Sequence, residues 1–361
     1  MTDKKVVTIQ DISCFGKCSL TVALPIISAM GLSCAVIPTA VLSTHTGGFK
    51  GWTFRDLTDD IPAITEHWTR EGIAFDGIST GYLGSGRQVE MICDFFDKFG
   101  ANALKFVDPA MADFGKLYVG FDMEFVRTMK KLCSRADVVV PNITEASMLL
   151  ETEYKERGEY GRDYVESLLR GLCELGAKKA IITGVSYDPS LQGAAAYDSA
   201  TGEFYEYFSE NIPVSSHGTG DVFASACFGA YMLGGNTSDA IRIAVDYTVD
   251  TIRATVGDKT SVAHLTYIGD ADVGSGVNFG CGCATANFTG KDKHRTTVGN
   301  NAFIGCDTCL VAPVQVGDNA YTAAGSVVTE DVPDNALAIA RSKQSVKKEW
   351  VTKKKPFRWQ K

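Results

Sequence analysis

The motif with the clearest chemical potential is the run His217-Gly218-Thr219-Gly220-Asp221, which directly precedes an apolar stretch at 222–233. Glycines just before a helix let backbone N–H groups converge on an anion, and the helix dipole adds to that attraction. An aspartate in the first helical turn can take a proton from a hydroxyl as that hydroxyl attacks a phosphorus atom. The same run is also typical of an aspartate that caps a helix after a glycine-rich turn. The motif alone does not decide between these two interpretations.

Other polar residues stand where apolar, strand-like runs end. Asp108, the pair Asn142 and Glu145, and Thr183 each follow or close such a run. Carboxylate and amide oxygens at the ends of parallel strands suit Mg²⁺ and its water shell. Together with the glycine-rich turn, these residues favour a site for phosphoryl transfer.

The elements that must position these residues follow from the alternation of apolar runs and amphipathic stretches up to about residue 257. The apolar runs predict buried strands at 6–9, 35–41, 77–80, 104–107, 138–140 and 180–183. The amphipathic stretches predict helices at 20–30, 64–70, 89–99, 125–132, 164–175 and 240–254. This order predicts an α/β fold with a doubly wound, mostly parallel sheet and helices on both faces. A stretch at 193–208 predicts an inserted hairpin.

A six-residue repeat replaces this pattern in the last third of the chain. An aliphatic or small residue recurs at positions 298, 304, 310, 316, 322 and 328. Three such hexads make one triangular coil of a β-helix, with the recurrent residue pointing inward. The segment 285–297 breaks the period, so we expect it to loop out of a coil.

Composition indicates the class of protein and its compartment. The 361 residues carry 35 Lys and Arg against 43 Asp and Glu, and the resulting net charge of −8 disfavours general nucleic-acid binding. No apolar run reaches the roughly 18 residues that a membrane span requires, and the N-terminus lacks a signal-peptide pattern. We therefore expect a cytoplasmic protein with an α/β domain (1–257), a β-helix (258–340) and a basic tail (341–361).

A set of motifs spread in order over residues 5–255 resembles the ribokinase superfamily, and most closely its pyridoxal kinase branch. The motifs are Ile9-Gln10-Asp11, Ser43-Thr44-His45-Thr46-Gly47-Gly48, Thr80-Gly81-Tyr82-Leu83-Gly84, Asp108-Pro109, Pro141-Asn142-x-x-Glu145 and Gly218-Thr219-Gly220-Asp221. The resemblance implies a ribokinase-like fold. It also implies Mg²⁺-assisted, ATP-dependent phosphorylation of the 5′-hydroxymethyl group of pyridoxal, pyridoxine or pyridoxamine.

The same resemblance implies a role for each matching residue. Asp221 would be the base, and the anion hole for the transferring phosphoryl group would consist of Gly218, Thr219 and Gly220. Mg²⁺ would be held through water by Asn142 and Glu145. The ATP phosphates would lie near Asp108 and Thr183. The pyridine pocket would be lined by Asp11, Thr46, Gly47 and Tyr82.

One departure from the pattern keeps a second substrate open. Many pyridoxal kinases carry Ser where this chain has Asp11, whereas the related hydroxymethylpyrimidine kinases carry Asp near this place in a Gly-Gly-Ala-Gly context. The context here is Ser13-Cys14-Phe15-Gly16-Lys17-Cys18, which matches neither branch. The pyrimidine kinases also often show Cys at the place of Asp221. Pyridoxal is therefore favoured, with hydroxymethylpyrimidine as the alternative.

Residues 261–361 resemble the left-handed β-helix of the bifunctional N-acetylglucosamine-1-phosphate uridyltransferase/glucosamine-1-phosphate acetyltransferase. The resemblance rests on runs such as His264-Leu265-Thr266-Tyr267-Ile268-Gly269-Asp270 and Thr285-Ala286-Asn287-Phe288. It implies that His264 is the general base of acetyl transfer. Substrate would be contacted by Tyr267, Asn278, Asn287 and Lys293, and acetyl-CoA would lie by Ala324 and Arg341. Such β-helices form trimers with sites between subunits.

The β-helix also departs from that family. The preceding coils, which supply an Arg and a Lys for the sugar phosphate, are replaced by the helical end of the α/β domain. Phe288 stands in place of a Tyr, and Cys281 and Cys306 replace small residues near the acyl-CoA. These changes favour an oligomerising or vestigial appendage over an active acetyltransferase. We expect a homo-oligomer, either a dimer through the α/β domain or a trimer through the β-helix.

The cysteines of the β-helix allow a further interpretation. Cys281-x-Cys283 and Cys306-x-x-Cys309 have spacings found in zinc sites. Four small residues at tight corners of neighbouring coils would give the same pattern, and this second interpretation is favoured.

Overall fold

The computed structural model describes residues 4–213, 217–262, 266–350 and 353. The chain divides into two compact units, Met1–Ile252 and Arg253–Lys361. The division lies slightly before the boundary at 257 that the sequence predicts. Each unit is described separately below.

The first unit is built on a nine-stranded sheet with the strand order 11-10-9-8-5-4-1-2-3. Strands β1, β2, β4, β5, β8 and β9 run parallel, and β3, β10 and β11 are antiparallel additions at the two edges. A small hairpin, β6–β7, stands outside this sheet. The strands are β1 (Lys5–Ser13), β2 (Ser33–Leu42), β3 (Phe54–Asp56), β4 (Gly77–Thr80), β5 (Leu104–Val107), β6 (Ala112–Asp113), β7 (Lys116–Leu117), β8 (Val138–Val139), β9 (Lys179–Val185), β10 (Leu191–Asp198) and β11 (Glu203–Glu210).

Helices cover both faces of the sheet, as the alternating pattern predicts. The helices are α1 (Leu20–Ala29), α2 (Asp60–Arg70), α3 (Gly86–Phe99), α4 (Met123–Cys133), α5 (Ile143–Leu150), α6 (Arg162–Glu174), α7 (Thr219–Met232) and α8 (Thr237–Arg253). Neighbouring residues of β1 point to opposite faces, so Val7 joins the core under α2–α6 and Val6 joins the core under α1, α7 and α8. The predicted doubly wound α/β fold is therefore confirmed.

Two elements next to the candidate site are absent from the sequence-based prediction. Helix α5 has only eight residues and six of them are buried, so it lacks the polar face that makes a helical period visible. The β6–β7 hairpin has strands of two residues each, which are too short for an alternating pattern. Hydrogen bonds between α5 and the hairpin segment hold both elements in place, so neither needs an alternating apolar pattern.

The second unit is a coil of short parallel strands whose hexapeptide repeats fit a left-handed β-helix. Regular coils advance by 18 residues, as the partners Phe303 and Tyr321 show. The six predicted inward residues are all buried, with exposed fractions of at most 3%: Val298, Ile304, Leu310, Val316, Thr322 and Val328. Its strands are β12 (Thr255–Val256), β13 (Ser261–Val262), β14 (Ala271–Val273), β15 (Asn278–Phe279), β16 (Ala284–Ala286), β17 (Thr296–Val298), β18 (Phe303–Ile304), β19 (Cys309–Val311), β20 (Val314–Val316), β21 (Tyr321–Thr322), β22 (Val327–Val328) and β23 (Leu337–Ala338).

One coil is longer than the others. Ala271 pairs with Thr296 and Ala284 with Cys309, so this coil takes 25 residues instead of 18. The additional residues lie between β16 and β17, where a bridge joins Phe288 and Lys293. This is the loop that the break in the hexad period predicts.

The zinc interpretation of the cysteines finds no support in the described residues, which include no group of three or more His, Cys, Asp or Glu arranged to hold a metal ion. Cys283 is buried, and its thiol donates to the carbonyl oxygen of Gly305 at 3.1 Å. Across the same described segments, no helix is long and apolar enough to span a membrane.

Candidate functional site

The candidate site of the first unit lies at the carboxyl ends of its central parallel strands. Asp11 is in the last part of β1, and Tyr82 and Asp108 follow β4 and β5. Asn142 follows β8 and forms a parallel bridge with Thr183 of β9. Because the carboxyl ends of parallel strands meet at one edge of the sheet, five of the predicted site residues share this edge.

Asp221 enters from helix α7 in the first helical turn. Its Oδ2 accepts a hydrogen bond from the Ser19 N–H at 2.9 Å. Burial raises the pKa of Asp221 to about 6, the Ser19 N–H opposes that rise, and the Asp11 carboxylate adds to it. A carboxyl group with this pKa is ionised at neutral pH yet basic enough to accept a proton from an attacking hydroxyl.

Gly218 caps α7 in a left-handed conformation with φ of 84°. A side chain at this position would collide with the carbonyl oxygen of Lys17, so only glycine allows the backbone to approach this closely. Gly220 has open space where a side chain would stand. The turn thus exposes the N-terminal backbone of a 14-residue helix, which is the geometry expected of an anion hole.

Asn142 and Glu145 form a capping box at the start of α5. The Glu145 N–H donates to Asn142 Oδ1 at 2.9 Å, and the Asn142 N–H donates to Glu145 Oε2 at 2.9 Å. The other carboxylate oxygen, Oε1, accepts from the N–H groups of Met111 and Ala112 at 2.9 and 3.3 Å. Asn142 Nδ2 donates to the Ala112 carbonyl at 2.8 Å. This box therefore ties α5 to the segment that carries the β6–β7 hairpin.

Carboxyl groups concentrate negative charge beside this box. Burial strongly raises the pKa of Asp108, and the carboxylates of Glu145 and Asp221 raise it further. Burial also raises the pKa of Glu145 to about 7, while its backbone N–H donors oppose that rise. A cation placed here would relieve the mutual repulsion of Asp108, Glu145 and Asp221.

Two residues predicted for the pyridine pocket, Asp11 and Tyr82, lie near each other, and Asp11 is 4% exposed. Burial raises the pKa of Asp11, and its Oδ2 accepts from the Ser13 hydroxyl at 3.1 Å. Burial and the nearby Asp11 carboxylate raise the pKa of Tyr82 to about 12, so this phenol stays protonated. Gly47 lies against the His217 ring, 2.5 Å from the place where a Cβ would stand. Thr46 is half-buried in the same loop.

The structure adds residues that the sequence analysis did not assign. The rings of His45 and His217 lie 4.8 Å apart, and His217 interacts with Asp113. Tyr118 lies among the carboxyl groups of Asp108, Asp113, Glu145 and Asp221, and both burial and these charges raise its pKa. Asp113 follows Asp108 by five positions. A second carboxylate so soon after the strand end is the sequence signal that could have pointed to this segment as part of the site.

The second predicted site belongs to the β-helix, and its base, His264, lies outside the described residues. Tyr267 bridges to Ala284, whereas Asn278 belongs to β15, so the two lie on different faces of the coil. Asn287 is 8% exposed and its Nδ2 donates to Asp270 at 2.9 Å. The remaining predicted residues occupy a loop and the last coils: Lys293, Ala324 and Arg341.

The comparisons reported for the first unit are with kinases. Residues 23–265 match the family described as phosphomethylpyrimidine kinase. A protein from Bacteroides thetaiotaomicron VPI-5482 assigned as a phosphomethylpyrimidine kinase has a TM-score of 0.67 at 37% identity, over 70% of this chain and 87% of that one. Its orthorhombic form, with pyridoxal, has a TM-score of 0.63 at 38% identity, over 66% and 84%. Pyridoxal kinase from Lactobacillus plantarum gives 0.63 at 32% identity, over 68% and 86%.

The comparisons for the second unit are with transferases that contain hexapeptide repeats. Residues 295–330 match the bacterial transferase hexapeptide family. The bifunctional protein GlmU of Clostridium kluyveri is 59% identical over 106 residues, which are 29% of this chain and 23% of that protein. GlmU of Clostridium acetobutylicum is 56% identical over 119 residues, or 33% and 26%. The chain thus spans about a quarter of the length of these relatives.

The two family matches follow one another along the chain without overlap, and the longer one includes Asp108, Asn142, Glu145 and Asp221. The chain is a phosphotransferase with a hexapeptide-repeat unit, and it belongs to the phosphomethylpyrimidine kinase family.

Proposed function

We propose that this protein transfers the γ-phosphoryl group of ATP to the 5′-hydroxymethyl group of pyridoxal, pyridoxine or pyridoxamine, with Asp221 as the base. The observation that carries this proposal is the position of Asp221 at the N-terminus of α7, on the side of the site shared by Asp11 and Asp108. A hydroxyl placed there meets a carboxylate with a pKa of about 6 beside a backbone turn suited to an anion. Gly218, Thr219 and Gly220 would stabilise the transferring phosphoryl group.

The carboxyl groups of the site fit Mg²⁺, because the carboxylates of Glu145 and Asp221 raise the pKa of Asp108, and the Asp113 carboxylate raises that of Glu145. Each side-chain oxygen of Asn142 and Glu145 already accepts at least one backbone N–H group. We therefore assign Asp108 the place nearest the ion, with Asn142 and Glu145 contacting it through water. Bound Mg²⁺ would neutralise charge on the ATP phosphates. Thr183, at the end of β9, would face those phosphates.

Two observations favour a pyridine over a pyrimidine. The relative that is 38% identical was solved with pyridoxal. The present chain also places Asp221 where the pyrimidine kinases often have Cys. The pocket would hold the ring between Tyr82, Gly47 and Thr46, and Asp11 would form a hydrogen bond with a polar substituent of the ring.

Substrate choice is tested by measuring ATP consumption with Mg²⁺ and either pyridoxal, pyridoxine, pyridoxamine or hydroxymethylpyrimidine. We expect the highest kcat/KM for one of the three pyridines. A higher kcat/KM for hydroxymethylpyrimidine would reverse the substrate assignment. Folded protein that turns over none of the four substrates would overturn the proposal.

For the second unit we propose an oligomerising appendage instead of an active acetyltransferase. The amide of Asn287, which acetyl transfer would need at the substrate, is buried and bonded to Asp270. We expect no release of CoA from acetyl-CoA and glucosamine 1-phosphate, and a trimeric or dimeric mass in light scattering. Release of CoA that is lost in a His264→Ala variant would contradict this proposal.

A further inference from the structure

Two exposed cysteines, Cys281 and Cys306, lie one above the other on adjacent coils of the β-helix. Phe279 pairs with Ile304 before them and Ala284 pairs with Cys309 after them, and both pairs are 25 residues apart. The same offset takes residue 281 to residue 306. The register is therefore constant across the corner, and it places the two cysteines directly opposite each other.

Backbone contacts confirm that the two coils touch at this corner. The Asp307 N–H donates to the Cys281 carbonyl at 2.7 Å, and the Gly280 N–H donates to the Ile304 carbonyl at 2.7 Å. The Cys306 Sγ lies 2.7 Å from the place where a Cβ on Gly280 would stand, so this thiol projects over the preceding coil. Strands paired in this way are about 4.8 Å apart, which is within the Cα–Cα range of roughly 4.4–6.8 Å seen for disulfides.

The other cysteines of this unit do not share the arrangement. Cys283 lies near Cys306, but it is buried and its thiol is bonded to the Gly305 carbonyl. Cys309 is half-buried and lies over Ala284, and the next position of the column above Cys306 is Ala324. Cys281 and Cys306 thus form the vicinal thiol pair of the described coils.

We propose that Cys281 and Cys306 are a reversible redox site that takes small-molecule disulfides such as oxidised glutathione. One cysteine thiolate attacks the glutathione disulfide, forms a mixed disulfide and releases one glutathione thiolate. The second cysteine thiolate then attacks the protein sulfur of that mixed disulfide and releases the second glutathione. Cys281 and Cys306 lose two electrons and two protons together, and one oxidised glutathione becomes two reduced molecules. The resulting bond joins two coils on the outside of the β-helix.

The experiment uses the full chain, reduced, desalted and then incubated with oxidised glutathione. We expect Cys281 and Cys306 to lose their two thiols without a glutathione adduct at either position, and a proteolytic peptide that links residues 281 and 306 within one chain. Cys281→Ser and Cys306→Ser should each leave the remaining cysteine carrying glutathione, because the other thiol near Cys306, that of Cys283, is buried and bonded to the Gly305 carbonyl. Cys309→Ser, the matched control on the same coil as Cys306, should form the same link as the wild type.

A second probe does not depend on forming an S–S bond. Phenylarsine oxide bridges two nearby thiols, so the wild type should retain it and each of the single Ser variants at 281 and 306 should lose it at this site. Stable glutathione on both cysteines of the wild type would overturn the proposal. A link found only between two chains on a non-reducing gel would also overturn it, as would equal arsenical retention by wild type and variants.

Discussion

Replacing Asp221 by asparagine is expected to lower kcat for phosphorylation of pyridoxal by about 10²–10⁴-fold. Asparagine keeps the size of the side chain and an oxygen that can accept the Ser19 N–H. It cannot take up a proton from the attacking hydroxyl. Steady-state kinetics with saturating ATP and Mg²⁺ measure the loss.

The pH dependence distinguishes a base from a residue that only positions substrate. Since burial raises the pKa of Asp221 to about 6, kcat/KM of the wild type should rise as pH increases through about 6 and level off above it. The Asp221→Asn variant should lack this rise. A variant that keeps the rise would show that another group is the base.

Asp137 offers a matched control for the loss of a carboxylate. It directly precedes β8, at the amino end of that strand. Its side chain is 14% exposed and accepts the Lys105 N–H at 2.8 Å. Asp137→Asn should change kcat by less than threefold, because it lies away from the carboxyl ends of the strands. Asp221→Asn should not destabilise the fold, since it removes a charge that burial disfavours. Equal loss of activity in both variants would point to damaged folding rather than lost chemistry.

The elements that could be predicted from the sequence are those with a repeating or alternating pattern of apolar residues. The hexads at Val298, Ile304 and Leu310 recur because each coil needs a small or aliphatic side chain at its centre, so their burial could be predicted position by position. The strands that end before Asp108 and Asn142 are mostly apolar, since helices cover both faces of the sheet. Because these strands are parallel, Asp108 and Asn142 could be predicted to lie at the same edge of the sheet.

Contacts between distant segments could not be predicted in the same way. The meeting of His45 with His217 joins residues far apart in the chain, and no local pattern of either residue encodes it. Glu145 is predicted to hold Mg²⁺ through water, and this role stays a prediction; the sequence did not show that its carboxylate also accepts backbone N–H groups from three residues. A spacing motif shows which residues occur together, but it does not show how many of their lone pairs the fold itself uses.

The hydrogen bonds that Glu145 accepts make it the second position where we expect a substitution to have a large effect. Glu145→Gln is expected to lower the free energy of unfolding of the first unit by about 3 kcal/mol. Whichever way the amide is turned, its NH₂ group faces at least one backbone N–H that Glu145 now accepts. At least one buried hydrogen bond is lost and two donors are placed against each other. Urea unfolding followed by circular dichroism measures the change.

The same substitution should reduce activity through the β6–β7 hairpin. Where the amide NH₂ faces Met111 and Ala112, these two N–H groups lose their acceptor, and the segment that carries Asp113 and Tyr118 is held less tightly against α5. We expect kcat/KM for Mg·ATP to fall by about 10–100-fold, the size typical for residues that support a metal site. Thr144→Val is the matched control, because it removes the hydroxyl that accepts the Gly115 N–H at 3.0 Å on the same hairpin. A neutral hydrogen bond of this kind contributes about 1 kcal/mol, so its effects should be smaller. If Thr144→Val lowered stability and kcat/KM as much as Glu145→Gln, the carboxylate would have no special part in holding the hairpin.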